Sequence, residues 1–200
     1  TRRLPIYEAV STDQDGYFEI WVRDGVYAVV VEKEGFLAAS IQRMEVKRSL
    51  MLPSVEFLWG DLNGDGALDL IALNRTSDNV SVLLGNGDGT FQSAISFDAG
   101  GDAPLSVTVG DVNGDGVLDI VIANTNNDIV SVLSGNGDGT FQAAVNHAVG
   151  DAPVSVIVSD VNDDGALDIV AANVNSDNVS VLTGRGDGTF QDAVNHTVGD

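Results

Sequence analysis

One nine-residue pattern occurs three times along this 200-residue chain, and it limits the possible folds more than any other feature. Asp61-Leu62-Asn63-Gly64-Asp65-Gly66-Ala67-Leu68-Asp69 returns as Asp111–Asp119 and again as Asp160–Asp168, at spacings of 50 and 49 residues. The one-residue difference falls at the doubled Gly100-Gly101, where the next unit has Gly150 alone. Repetition at such a period means an array of like supersecondary units, each burying its apolar surface against its neighbours.

Each acidic segment leads into an apolar run: Leu68–Leu73, Leu118–Ala123 and Leu167–Ala172. Second runs follow at Val80–Leu84, Val130–Leu133 and Val179–Leu182, each entered by a polar turn. Gly-x-Gly-Asp-Gly-Thr-Phe comes next, at Gly85–Phe91, Gly135–Phe141 and Gly184–Phe190. The Gly/Asn/Asp clusters are hairpin signals. The spacing predicts four strands per unit, for the middle unit over about 104–112, 118–124, 129–134 and 140–149. The inner runs, such as Leu118-Asp119-Ile120-Val121-Ile122-Ala123, do not alternate as a one-sided sheet would, so both faces are covered. Four-stranded units of roughly 50 residues with two buried faces are the pattern of β-propeller blades. Turn signals every 8–12 residues and β-branched enrichment exclude a helical repeat.

The Asp-x-Asn-Gly-Asp-Gly-x-x-Asp loops between these strands resemble the FG-GAP/VCBS repeat of integrin α-subunit propellers and many bacterial secreted proteins. The resemblance covers about 54–200, as blades near 54–103, 104–152 and 153–200. It implies a seven-bladed propeller with calcium between the first two strands of a blade. Only three repeats are present, and Val198-Gly199-Asp200 looks like the opening of a fourth. The expectation is therefore an incomplete propeller from a longer chain, whose remaining blades are partners of these.

The loops also read as metal sites on their own chemistry. A hard dication needs several oxygen donors from a short, sharply turned segment. Positions one, three and five supply Asp61, Asn63 and Asp65; Asp111, Asn113 and Asp115; and Asp160, Asn162 and Asp164. Position seven offers a backbone carbonyl, from Ala67, Val117 or Ala166, and position nine a further carboxylate, Asp69, Asp119 or Asp168. An all-protein oxygen cage favours Ca2+ over Mg2+, and the loops hold no His or Cys for zinc. About three calcium ions are expected, one per loop. An EF-hand would need a Glu at position twelve, where Ala72, Ile122 and Ala171 stand. The third loop departs at Asp163, which replaces Gly64 and Gly114 at a place expected to need an unusual backbone angle.

Charge divides the chain near Pro53. Residues 1–53 hold seven bases and eight acids; residues 54–200 hold two bases and 22 acids. So acidic a surface repels phosphate backbones and anionic membranes, so nucleic acid is not expected as a partner. No apolar run approaches the roughly 20 residues of a membrane span, so no membrane insertion is expected in this segment. The absence of cysteine removes disulfides and thiolate chemistry. Residues 1–53 carry Thr12-Asp13-Gln14-Asp15-Gly16-Tyr17-Phe18, Asp24-Gly25 and Val26–Lys33. They resemble a carboxypeptidase regulatory-like, prealbumin-like β-sandwich lacking its first strands.

Three weaker signals are read as structural. Gly-x-Gly-Asp-Gly-Thr-Phe lacks the strand-to-helix context and the lysine of a phosphate loop, so it reads as a hairpin turn with Phe91, Phe141 and Phe190 as anchors. Its third copy contains Arg185-Gly186-Asp187, which one substitution in the repeat creates. His147 and His196 share a place with Phe97, which suits packing rather than catalysis. No catalytic constellation appears, so the expectation is all-β, non-catalytic and calcium-binding: three propeller blades after a truncated β-sandwich. The role expected is scaffolding or adhesion-type ligand binding, to protein or carbohydrate, in a secreted or cell-surface protein. The rivals are a lectin-like propeller and the accessory propeller of a secreted polysaccharide-degrading enzyme.

Overall fold

The computed structural model describes residues 57–199, so the sandwich expected for 1–53 lies outside the described residues. Twelve strands build three four-stranded antiparallel sheets, each in simple sequential order. The first holds β1 (Phe57–Gly60), β2 (Asp69–Asn74), β3 (Asn79–Leu83) and β4 (Ile95–Asp98). The second holds β5 (Pro104–Gly110), β6 (Asp119–Asn124), β7 (Ile129–Leu133) and β8 (Val145–Ala148). The third holds β9 (Pro153–Ser159), β10 (Asp168–Asn173), β11 (Asn178–Leu182) and β12 (Val194–Thr197). These are the blades that the repeat predicts. Among the described residues no helix is long and apolar enough to cross a membrane.

The outermost strand of each blade is shorter than expected. Residues 140–144, expected in the fourth strand, do not extend β8, because Gly135 bridges Phe141 and the segment between closes on itself. Asn136 N donates to Thr140 O at 2.9 Å and Gln142 N to Ser134 O at 2.8 Å, which closes the Gly-x-Gly-Asp-Gly-Thr-Phe turn. Gly135 has no room for a side chain: a Cβ there would lie 2.4 Å from the Leu118 carbonyl oxygen.

The apolar core lies between blades. Leu73, Val80 and Val82 of the first pack with Ile120, Ile122, Leu133 and Phe141 of the second. Val121, Val130 and Val132 of the second pack with Ile169, Leu182 and Phe190 of the third. All six residues of β6 are buried, which explains its apolar run Ile120–Ala123. The third blade keeps one such face uncovered among the described residues: Leu62 and Val112 are 2% and 1% exposed, but the equivalent Val161 is 51% exposed.

Polar ties also join the blades. The Asp78 carboxylate accepts from Ala103 N, and the Asp128 carboxylate from Ala152 N, both at 2.8 Å. The carbonyls of the same two residues accept from Ala99 N and Val149 N. Asp78, Asp128 and Asp177 all adopt left-handed backbone angles, with φ of 52, 57 and 46°. Asp is among the few non-glycine residues that tolerate this region.

Aromatic edges recur at the same boundaries. Phe97 meets Phe141 at 5.4 Å, and His147 meets Phe190 at 5.2 Å, both near perpendicular. His147 therefore packs in Phe97's place, as the repeat predicts. Its Nε2 is buried without a hydrogen-bond partner, and burial pushes the imidazole below its ordinary pKa. The folded state thus favours the neutral ring. That contribution is complete above the unfolded value of about 6.5 and is lost as pH falls through the lower folded value. His147→Phe is expected to remove this part of the acid sensitivity. Denaturation midpoints of the two proteins should diverge on acidification; parallel curves would contradict the assignment.

Candidate metal centre

Each acidic loop folds around its first carboxylate. Asp61 Oδ1 accepts from the amides of Gly64 and Asp65 at 2.8 and 3.1 Å, and Oδ2 accepts from Gly66 N at 3.0 Å. Asp111 repeats this with Gly114, Asp115 and Gly116 at 2.7, 3.1 and 2.8 Å. The third loop differs in part: the amides of Asn162, Asp164 and Gly165 bond Asp160 at 3.3, 3.2 and 2.9 Å. These amides, Gly165 first, hold the Asp160 carboxyl below its usual value. The fourth position needs a left-handed backbone in every copy, with φ of 72° at Gly64, 75° at Gly114 and 61° at Asp163.

Positions three, five and seven are linked within the loop. Asn63 Nδ2 donates to Asp65 Oδ2 at 2.9 Å, and Ala67 N to Asp65 Oδ1 at 2.8 Å. Asn113, Asp115 and Val117 repeat the arrangement, as do Asn162, Asp164 and Ala166. The side chains at positions one, three and five are all at least partly exposed.

Position nine has a structural role that the sequence reading missed. Asp69, Asp119 and Asp168 are fully buried. Asp119 Oδ2 accepts from Val112 N at 3.0 Å, and Oδ1 accepts from Gly135 N at 2.9 Å. Asp69 joins Leu62 N and Gly85 N, and Asp168 joins Val161 N and Gly184 N, at 2.8 or 2.9 Å. The acidic loop and the Gly-x-Gly-Asp-Gly-Thr-Phe turn are thus two ends of one unit. The available signal was the constant separation of 16 residues between this aspartate and that glycine.

Burial raises the Asp119 carboxyl pKa, the amides of Gly135 and Val112 oppose this, and the charges of Asp115 and Asp111 add to it. The loop's carboxylates therefore do repel one another. Among the described residues no three carboxylate or imidazole groups converge closely enough to hold a metal ion. The donor chemistry nevertheless suits a hard dication. The donors are all oxygens; Asp61 Oδ1 and Asp111 Oδ1 already accept two amides each, but Oδ2 of both residues accepts one and keeps lone-pair capacity. A cavity of about 390 Å³ opens beside the first loop, lined by Asp65, Ala67, Asn86 and Gln92 among others.

The charged side chains of the arginine-glycine-aspartate tripeptide are exposed and bond within their own turn. Arg185 Nη1 donates to Phe190 O at 2.8 Å, and Asp187 Oδ1 accepts from the amide and hydroxyl of Thr189 at 2.9 and 2.6 Å. Asp88 with Thr90 and Asp138 with Thr140 form the same contact. The threonine hydroxyl is the main cause of the lowered pKa at all three aspartates.

A family model described as FG-GAP-like repeat matches residues 61–122 and 111–171. Among solved structures the chain is similar to one described as the structural basis of specific recognition of non-reducing terminal N-acetylglucosamine by an Agrocybe aegerita lectin. That match has a TM-score of 0.51 at 24% identity, over 72% of this chain and 38% of that one. A Photorhabdus luminescens Tc holotoxin pore structure aligns with a TM-score of 0.40 at 18% identity, over 71% of this chain and 7% of that one. The chain thus spans less than two thirds of the length of either protein. No curated protein matches it.

Proposed function

The chain belongs to the FG-GAP-like repeat family, and from that premise we propose that its blades form a calcium-stabilised, non-catalytic propeller segment. Its work is scaffolding or adhesion-type ligand binding in a secreted or cell-surface modular protein. The observation that carries the reading is the acidic loop repeated three times. In each copy backbone amides wrap the first aspartate, and at least two further carboxylates follow within the nine residues. The ligand donors would be Asp61, Asn63, Asp65 and Asp69 with the Ala67 carbonyl, and the matching residues of the other two loops. A bound dication supplies charge balance and cross-linking there, not chemistry on a substrate. Asp69, Asp119 and Asp168 would serve the ion through lone pairs not taken by the amides they already hold.

Calorimetric titration with calcium tests this. About three ions are expected to bind, one fewer in each of Asp65→Ala, Asp115→Ala and Asp164→Ala. Heats of dilution alone would overturn the proposal. A carbohydrate ligand is the second reading, favoured by the fold likeness to the Agrocybe aegerita lectin.

A further inference from the structure

The tetrapeptide Asn-Gly-Asp-Gly occurs four times, beginning at Asn63, Asn86, Asn113 and Asn136. An asparagine followed by glycine is chemically labile, because the unhindered glycine nitrogen can attack the side-chain amide. The three residues that follow, Gly-Asp-Gly, are the same in all four, so a difference in reactivity between them reports chiefly the fold.

The four sites fall into two pairs. Gly64 N donates to Asp61 Oδ1 at 2.8 Å, and Gly114 N donates to Asp111 Oδ1 at 2.7 Å. In each the attacking nitrogen is tied to a carboxylate, which holds its proton and opposes the negative charge that deprotonation would create. Among the described residues the amides of Gly87 and Gly137 donate to no protein acceptor. Asn86 and Asn136 are exposed. Their side-chain Nδ2 donates to Thr90 Oγ1 at 2.8 Å and Thr140 Oγ1 at 2.9 Å. Each threonine hydroxyl in turn donates to an aspartate at 2.6 Å.

We propose that Asn86 and Asn136 are sites of spontaneous deamidation, and that the acidic loops protect Asn63 and Asn113 from the same reaction. The deprotonated Gly87 nitrogen attacks Asn86 Cγ. A C–N bond forms, the Cγ–Nδ2 bond breaks, and the departing amide takes up a proton and leaves as ammonia. Water opens the resulting five-membered imide at either carbonyl, giving aspartate or isoaspartate. One water is consumed and one ammonia released, with no oxidant or reductant. At Asn86 the product puts another carboxylate into the cavity that Asp65 also lines. At Asn136 it charges the turn held by Asp119. The third blade is exempt, since Arg185 stands at the equivalent place.

The test is ageing of the folded chain in mildly alkaline buffer with chelator, read by peptide mapping and by enzymatic methylation of isoaspartate. Asn86 and Asn136 are expected to convert at least about tenfold faster than Asn63 and Asn113, the factor that breaking a modest hydrogen bond would impose. In denaturant the four sites should convert at similar rates. Asp61→Asn should accelerate Asn63 and leave Asn113 slow; if that variant unfolds, both accelerate together, and the comparison with denatured chain then decides. Asn86→Arg should remove one site and leave Asn136 unchanged. Equal rates at all four sites in the folded chain, or faster conversion at Asn63 and Asn113, would overturn the proposal.

Discussion

The chain is expected to melt at much higher temperature in calcium than in chelator. Each occupied loop stabilises the fold by about 2.7 kcal/mol when free calcium is roughly a hundred times its dissociation constant. Three loops together give roughly 8 kcal/mol, and about 2–4 °C per kcal/mol for a chain of this size makes the shift on the order of 15–30 °C. Magnesium at equal concentration should do little, because it demands octahedral geometry and gives up its water reluctantly. Differential scanning calorimetry in the two buffers reads the shift directly. Superimposed melting curves would remove calcium from the account of this fold.

Asp119→Ala is expected to destabilise the middle blade even with no metal present. The substitution leaves the buried amides of Val112 and Gly135 without acceptors. At about 1–3 kcal/mol for each unsatisfied group the loss is about 2–6 kcal/mol. Gly135→Ala strikes the same junction from its other end, because the added methyl meets the Leu118 carbonyl. Denaturant titration in chelator separates this role from metal binding. Asp115→Ala, at an exposed loop position, should lose little in chelator, whereas Asp119→Ala should lose its full amount. Equal losses would mean that position nine is no more than another loop carboxylate.

The blade architecture is legible in the sequence because two signals of different origin agree. The 50- and 49-residue period sets the repeating unit, and the near-continuous apolar run at Leu118–Ala123 requires a neighbour on both faces. The structure answers with interblade cores and a fully buried β6. The outer strands were overestimated. The strand expected over 140–149 starts only at Val145, because Phe141 bridges Gly135 and the Gln142 amide is taken by Ser134 O in closing the turn. At the loop, the donor types and their spacing were readable from sequence. What Asp119 does for Gly135 was not, because the constant 16-residue separation shows in the repeat without saying that the two groups bond. The aspartates at 78 and 128 escaped notice for the same reason: they look like ordinary turn residues until the next blade is seen to hang from them.

Those two aspartates also bear on how such an array assembles. Each catches an amide only 25 or 24 residues further along the chain. Closing so short a segment costs little entropy compared with pairing distant ends, so every blade can fold onto a finished predecessor as it leaves the ribosome. A unit can therefore be duplicated or deleted whole, because the joint it needs is written within its immediate neighbour. Under tension the same design would give way one joint at a time, in a sawtooth of similar events rather than a single rupture.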